Sequence, residues 1–599
     1  MSRRLLFLTV VGVAWLAAGC VTFKRASKLT QVKTLTPSTP SPPPMTTPRL
    51  EGVQAPPGAV LLTEDPHYKA YFHFIQGEMM DQANDLDGAI AEYRKAIIYD
   101  PRSPLLRTRL ATEMLRKGNI EASIDEAEEA LVLDPDYVPA RYLLGRIYPS
   151  LGRRQLAMEQ YTRIIKQDPT STEAYLYLGT LYAEAEQYEE AIETFEKLMA
   201  QDPENLLGTY YLGRVYGNMK LHGRAEEYLK KTLLIDPTFE RAAASLGSLY
   251  EFQQKYVEAA EMYKKALEIN PYNNLVRSRL GQVFIRKENL PKALEAYRAI
   301  SRSEPENLEI HERMGLIYLQ QKDFNRALEE FNLVLAANAK QTRVRFFKAL
   351  VYEEMEQYPK AVAELERILE VDPKVPDTRL HLGRVYKLME DDDRAIAILK
   401  EAVAQNAKDH QAYFFLGVIY SDLKKYKVAL EQFQGAIGIA PEVDRYHFNL
   451  GAAYEKMGEY DLSIAAMRET IKLNPDHANA YNYMGYLWAE QGINLEESVQ
   501  AIKKALSYEP NNGYFLDSLG WAYYKQGRLE EALVELEKAV AKVNDDAVII
   551  DHLGDVYHAL GRNKEAVESY QRSLRVEDDS KVREKLDQLQ RGATRAKSP

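Results

Sequence analysis

Apolar positions along the chain recur at helical spacing for about a dozen residues, lapse over a few polar ones, resume, and stop at a proline. That double beat predicts paired amphipathic helices, because strands would alternate at every second residue. The prolines keep time. Pro101, Pro135, Pro169, Pro203, Pro237, Pro271 and Pro305 are evenly spaced, and the lattice resumes at Pro373, Pro441 and Pro475. Ala339 and Ala407 fill two beats, the next slips by one residue to Pro510, and Asn544 takes the last. A fixed period of about 34 residues implies one supersecondary unit copied end to end.

In register, the lattice gives fifteen repeats from Ala70 to about Ser580, fourteen of one length and one longer by a single residue. Repeat 4 reads Tyr175, Leu178-Gly179, Tyr182, Ala191, Phe195 and Pro203; repeat 6 reads Leu246-Gly247, Tyr250, Ala259, Tyr263, Ala266 and Pro271. Repeat 11 reads Leu416-Gly417, Tyr420, Ala429, Phe433, Ala436 and Pro441. These slots resemble the tetratricopeptide repeat. The resemblance implies an all-α, right-handed superhelical solenoid of about fifteen helix-turn-helix repeats, from residue 70 to residue 580.

Each slot has a physical reason. Glycine at position 8 (Gly77, Gly179, Gly213) costs helix propensity, so close approach of the two helices must demand it; Ala111 and Ala349 replace it twice. Small residues at position 20, such as Ala89, Ala191 and Ala395, answer it from the facing helix. Aromatics at positions 11 and 24 are expected to fill the gap between neighbouring repeats. Proline at position 32 cannot continue a helix and opens the turn into the next repeat. Repeat 13 holds the extra residue, within Gly492 to Glu496, where a longer turn between its helices is the simplest expectation. Residues 581–591 read as a polar capping helix and 592–599 as a disordered tail.

Residues 1–66 are different material. Arg3 and Arg4 precede an apolar stretch from Leu5 to Leu16, followed by Ala17-Ala18-Gly19-Cys20. Cys20 is the chain's one cysteine, so no disulfide framework exists. The segment resembles a bacterial lipoprotein signal, which implies removal of residues 1–19 and lipidation of Cys20. Ala17 stands where that family prefers Leu, and the same residues also fit an ordinary secretory signal cut after small residues. An uncleaved anchor is a third reading, although the apolar run is short for a spanning helix. Val21 rather than Asp follows, which by the same resemblance favours the outer membrane of a Gram-negative cell, with the repeats in the periplasm. Residues 20–66 are rich in Pro, Ser and Thr, a composition expected to remain an extended tether or spacer.

A net charge of −11 argues against nucleic acid, which needs a basic stripe. No phosphate loop, dinucleotide fingerprint, nucleophile elbow or zincin motif occurs, so no enzyme and no cofactor is expected. Asp551, Asp555 and His558 share one helix face at spacings a metal could use, but a solvated polar stripe yields the same pattern. Enzymes with tetratricopeptide arms also carry a catalytic domain, and this chain leaves no room for one.

The resemblance further implies that the first helix of each repeat, helix A, faces inward and that positions 2, 5, 9, 12 and 13 meet partners. In repeats 8 to 12 those positions include Leu316, Leu319, Phe346, Leu350, Leu380, Phe414, Val418 and Phe448, flanked by Arg343, Arg384 and Lys387. An apolar track of this kind would bind a protein or peptide if exposed; the other expectation is that several members pack on adjacent helices. Repeats 13 to 15 instead carry Asn482, Tyr486, Tyr514, Asp517, Trp521, Tyr524, Asp551 and Asp555, with Trp521 expected to face solvent as an interface anchor. Aromatic and acidic groups together could hold a basic peptide or a sugar chain. Lysine and asparagine clamps for acidic chain ends are not reproduced. The expected role is a membrane-tethered scaffold in assembly, secretion or envelope biogenesis, with a polysaccharide-export component as the alternative.

Overall fold

The computed structural model describes residues 65–595 except Pro376, with side chains described as far as Arg591. Cys20 and the segments read as signal and tether therefore lie outside the described residues. Within them stand thirty-one α-helices and one short 3-10 helix, with no strand. Helix A typically spans 13 residues and helix B 14, as in Leu206–Asn218 followed by His222–Ile235. In most repeats helix A packs most heavily on helix B of the same repeat, and helix B packs in turn on helix A of the next. The fold is an all-α solenoid of fifteen helix-turn-helix repeats.

Contacts divide the chain into two compact units, between Gln160 and Tyr161. In the first, the Pro66–Gln82 helix buries Ala70 and Gly77 against the next helix and leaves Tyr71 and Phe72 exposed. The second holds the remaining repeats and ends in the Ser580–Arg595 helix. That helix covers Tyr570 and Ala566 with Val582. It runs to Arg595, past the boundary expected at residue 591.

The glycine at position 8 is indeed a close approach, and the residue it admits is at position 24. A Cβ on Gly247 would stand 2.6 Å from the Tyr263 ring, on Gly315 2.5 Å from Phe331, and on Gly417 2.5 Å from Phe433. Those rings are wholly buried. The aromatic at position 24 thus fills the space under its own glycine and also meets the next repeat: Phe195 stacks on Tyr211 at 6.1 Å and Phe331 on Phe347 at 6.0 Å between centroids. Position 11 does bridge neighbours. Tyr250 Oη donates to Glu226 at 2.9 Å, Tyr386 Oη to Glu366 at 2.9 Å, and Tyr557 Oη to Glu537 at 2.9 Å, each on helix B of the preceding repeat.

Turns between repeats are closed by the residue before the proline. Asp236 accepts the Thr238 N–H at 2.8 Å. Asn338 and Asn406 do the same for Lys340 and Lys408, both at 3.1 Å, where the lattice has Ala339 and Ala407. An Asx turn therefore persists without proline, which explains why alanine is tolerated.

Turns inside the repeats share a feature that sequence reading did not find. Position 15 is left-handed in all fifteen, from Asn84 (φ 59°) to Gly561 (φ 75°). Glycine supplies this conformation at Gly118, Gly152, Gly458, Gly492, Gly527 and Gly561, while Asn, Glu, Lys or Gln accept it elsewhere. In repeat 13 the turn keeps the usual hydrogen bonds as far as Ile493 N–H to Trp488 O, and the extra residue follows at Asn494 (φ 49°), a second left-handed position just before helix B, as expected from the sequence.

Candidate functional site

The candidate interaction residues of repeats 8 to 12 line helix A as expected, but none is fully open. Leu316, Phe346, Leu350, Leu380, Phe414 and Val418 are all half-buried. Leu316 rests on the core of repeats 5 to 9, and Phe346, Leu380, Phe414 and Val418 on the core of the repeats that follow. Phe346 lies 5.0 Å from the His381 ring, and Phe414 4.8 Å from Tyr446. The track is thus a set of ridges between adjacent helices A, each showing one edge. Packing on the neighbour, the second of the two sequence expectations, holds for these five.

The flanking cations join one repeat to the next. Arg343 Nε meets Glu312 at 3.1 Å, and Lys387 Nζ meets Asp422 at 3.0 Å. Arg384 pairs with Glu353, which also contacts His381 Nε2 at 2.8 Å. Burial alone would raise the Glu353 pKa, but His381 and Arg384 hold it below the ordinary carboxylate value. Such shielded pairs act across repeat boundaries, where solenoid stability is set.

Trp521 overturns the exposure on which its anchor role rested. It is 8 % exposed, with Nε1 donating to Glu490 Oε2 at 2.8 Å. His552 stacks on one side at 4.0 Å between centroids and Tyr524 at 5.0 Å. His552, at position 6 of the next repeat, reaches across position 9 and covers the indole. Behind it, His552 Nδ1 and Asp517 Oδ1 are 2.9 Å apart and both residues are buried. Burial pushes the His552 pKa down, Asp517 pushes it up, and the result is a net rise. Tyr486 and Tyr524 pack on the same core, and burial raises the pKa of both phenols. Only Tyr514, 45 % exposed, stands open among the sixteen candidates on the two stretches.

The acidic pair considered for a metal already holds a cation. Lys585 Nζ, from the C-terminal helix, lies 2.9 Å from Asp551 Oδ2 and 2.7 Å from Asp555 Oδ2. Asp555 also accepts from Tyr570 Oη at 2.7 Å. His558 points elsewhere, exposed and 3.3 Å from Asn563. Among the described residues no His, Cys, Asp and Glu group is placed to hold a metal, and no helix is long and apolar enough to cross a membrane.

Family models of the tetratricopeptide repeat match residues 108–172, 160–193, 182–249, 240–273 and 278–342. The chain is built of tetratricopeptide repeats. Repeat solenoids of this kind are interaction scaffolds, presenting successive helix faces to other proteins. Residues 351–589 match the model of the cilia and flagella-associated protein 70 C-terminal domain. A TPR repeat-containing protein of Pseudomonas aeruginosa is 39 % identical over 59 residues. That match spans 10 % of this chain and only 10 % of the relative's length. Among solved structures, the APC/C hetero-tetramer Cut9-Hcn1 aligns at 14 % identity and TM-score 0.36, over 82 % of this chain and 98 % of that one. MamA aligns at 28 % identity and TM-score 0.25, over 26 % and 92 %. Naa15/Naa10 bound to HypK-THB aligns at 13 % and 0.29, over 88 % and 98 %.

Proposed function

We propose that this tetratricopeptide-repeat chain is a lipid-anchored scaffold of the bacterial envelope, tethered through Cys20 and binding proteins along its helix A face. The observation that supports the binding role is the row of half-buried apolar edges from Leu316 to Val418 on successive helices A. Partial exposure of a packed ridge lets a partner add area without reordering the scaffold, which lowers the entropy lost on binding. The lipobox-like segment ending at Cys20, the lone cysteine, supports the tether, and Val21 supports the outer membrane. Assembly, secretion or envelope biogenesis is the process such a tethered scaffold serves. The polysaccharide-export reading drew on an open aromatic and acidic surface, and Trp521 offers none, so the protein-binding reading is preferred.

Site-specific photo-crosslinking in cells tests the face. A photoreactive residue at Leu350 or Val418 should capture a protein that the same residue at Leu234, 82 % exposed on a helix B, does not. Equal capture from Leu234, or none from the helix A positions, would remove the groove assignment. The tether is tested by Cys20→Ala, which should abolish fatty-acid labelling and release the protein from membranes.

A further inference from the structure

The helix A face opens at repeats 5 to 7. Positions 5 and 9 carry Phe346 and Leu350 in repeat 9, and Phe414 and Val418 in repeat 11; in repeat 6 they are Ala244 and Ser248. These small residues leave a hollow of about 550 Å³. That is within the roughly 300–1,000 Å³ typical of ligand pockets. Leu249, Phe252 and Leu275 give it an apolar wall.

Its charge is one-sided. Arg214, Lys220 and Arg279 line it with His222, and no Asp or Glu does, in a chain whose net charge is −11. Arg279 is 3.3 Å from Glu251, but Arg214 rests over the Tyr210 ring at 5.8 Å, and neither it nor Lys220 meets a carboxylate among the described residues. His222 Nδ1 is buried without a hydrogen-bond partner, its ring 5.2 Å from Phe252. Unpaired cations and an orphaned imidazole nitrogen beside an apolar wall are complementary to a carboxylate next to an apolar side chain.

We infer that this hollow binds an acidic peptide segment, with an apolar side chain seated against Leu249 and Phe252 and a neighbouring Asp or Glu carboxylate held by Arg214 and Lys220. The lining comes from three successive repeats, which suits an extended chain lying along the solenoid. Ser245, Ser248 and Asn218 add hydrogen-bonding groups for its backbone. The inference rests on the protein-binding reading of the helix A face and names the chemistry of one stretch of it.

The probe is a phage library of random dodecapeptides panned on the full chain, followed by fluorescence anisotropy with the selected peptides. Selected sequences should combine Asp or Glu with Leu, Ile or Phe. Ala244→Phe, which fills the hollow, and Arg214→Glu with Lys220→Glu, which reverses its charge on exposed side chains, should each weaken binding at least tenfold with the circular dichroism spectrum unchanged. Failure to enrich any peptide, basic or purely apolar consensus sequences, or peptides that bind the Ala244→Phe and charge-reversed chains equally well, would overturn the inference. Peptides indifferent to Ala244→Phe but lost with Phe346→Glu would also overturn it, while leaving the wider face intact. Crosslinking at Leu350 and Val418 decides that wider reading separately.

Discussion

Repeats 6 and 14 occupy one register and put it to opposite uses. Position 5 is Ala244 in one and Asp517 in the other; position 9 is Ser248 in one and Trp521 in the other. In repeat 6 the small pair leaves a hollow lined by unpaired cations. In repeat 14 the large pair is closed from the next repeat by His552, stacked on Trp521 and paired with Asp517. Both repeats keep the same glycine contact, Gly247 against Tyr263 and Gly520 against Leu536. The intra-repeat core is thus held constant while the helix A face varies. That separates what folds the chain from what a partner can read.

The contrast is most sharply tested at position 9. Trp521→Ala should cost about 3–5 kcal/mol by urea denaturation, as for buried aromatic truncation. Ser248→Ala should cost about 1 kcal/mol or less, since it forfeits one hydrogen bond, to Tyr263 Oη at 3.1 Å. Equal losses at the two sites would mean that Trp521 is not the keystone its burial implies.

A smaller effect follows from charge. His552 has a pKa raised above its ordinary 6.5 in the folded state, with Asp517, Asp551 and Asp555 facing it. A histidine so shifted contributes stability in full below the unfolded value, and that stability fades as pH rises through the elevated one. Hydrogen exchange over residues 513–576 should therefore speed up between pH 6 and pH 9, beyond the intrinsic base-catalysed increase. His552→Gln should remove that excess, and an unchanged excess would assign it to another group.

The smallest effect lies in the turns. Gln254 (φ 59°) in repeat 6 and Gly527 (φ 77°) in repeat 14 hold the same left-handed position. Gln254→Gly should stabilise by up to about 1 kcal/mol, and Gly527→Gln should destabilise by a similar amount. Thermal melts of the two variants should move in opposite directions.

Periodicity made the repeat number and the helix pairing legible in the sequence. It did not show partners. Register says where Trp521 points, but its burial depends on His552 in the following repeat, whose reach is a matter of side-chain length and rotamer. The same limit hid that the position 24 aromatics, such as Tyr263 and Phe433, also lie under their own glycines. Left-handed turns had a signal, Asn84 with Gly118, Gly152, Gly458, Gly492, Gly527 and Gly561 at one slot, but Glu, Lys and Gln at the others masked it. The hollow at repeat 6 was visible as Ala244 and Ser248, two small residues whose meaning emerges only against the bulk of their counterparts.

Repeat 13 has a consequence for how such a chain can change its length. One added residue rotates everything after it by about 100° around a helix, which should ruin every later contact. Here a Cβ on Gly485 would still stand 2.6 Å from its lid, Ile502, although their separation in sequence is longer by one than in the other repeats. Gly520 and Leu536 then return to the usual interval. The turn at Gly492 and Asn494 works as a clutch, absorbing the slip so that downstream copies never register it. A chain with such a joint can tolerate a copying error of a single codon as well as the gain or loss of whole repeats, provided the error falls between the two helices.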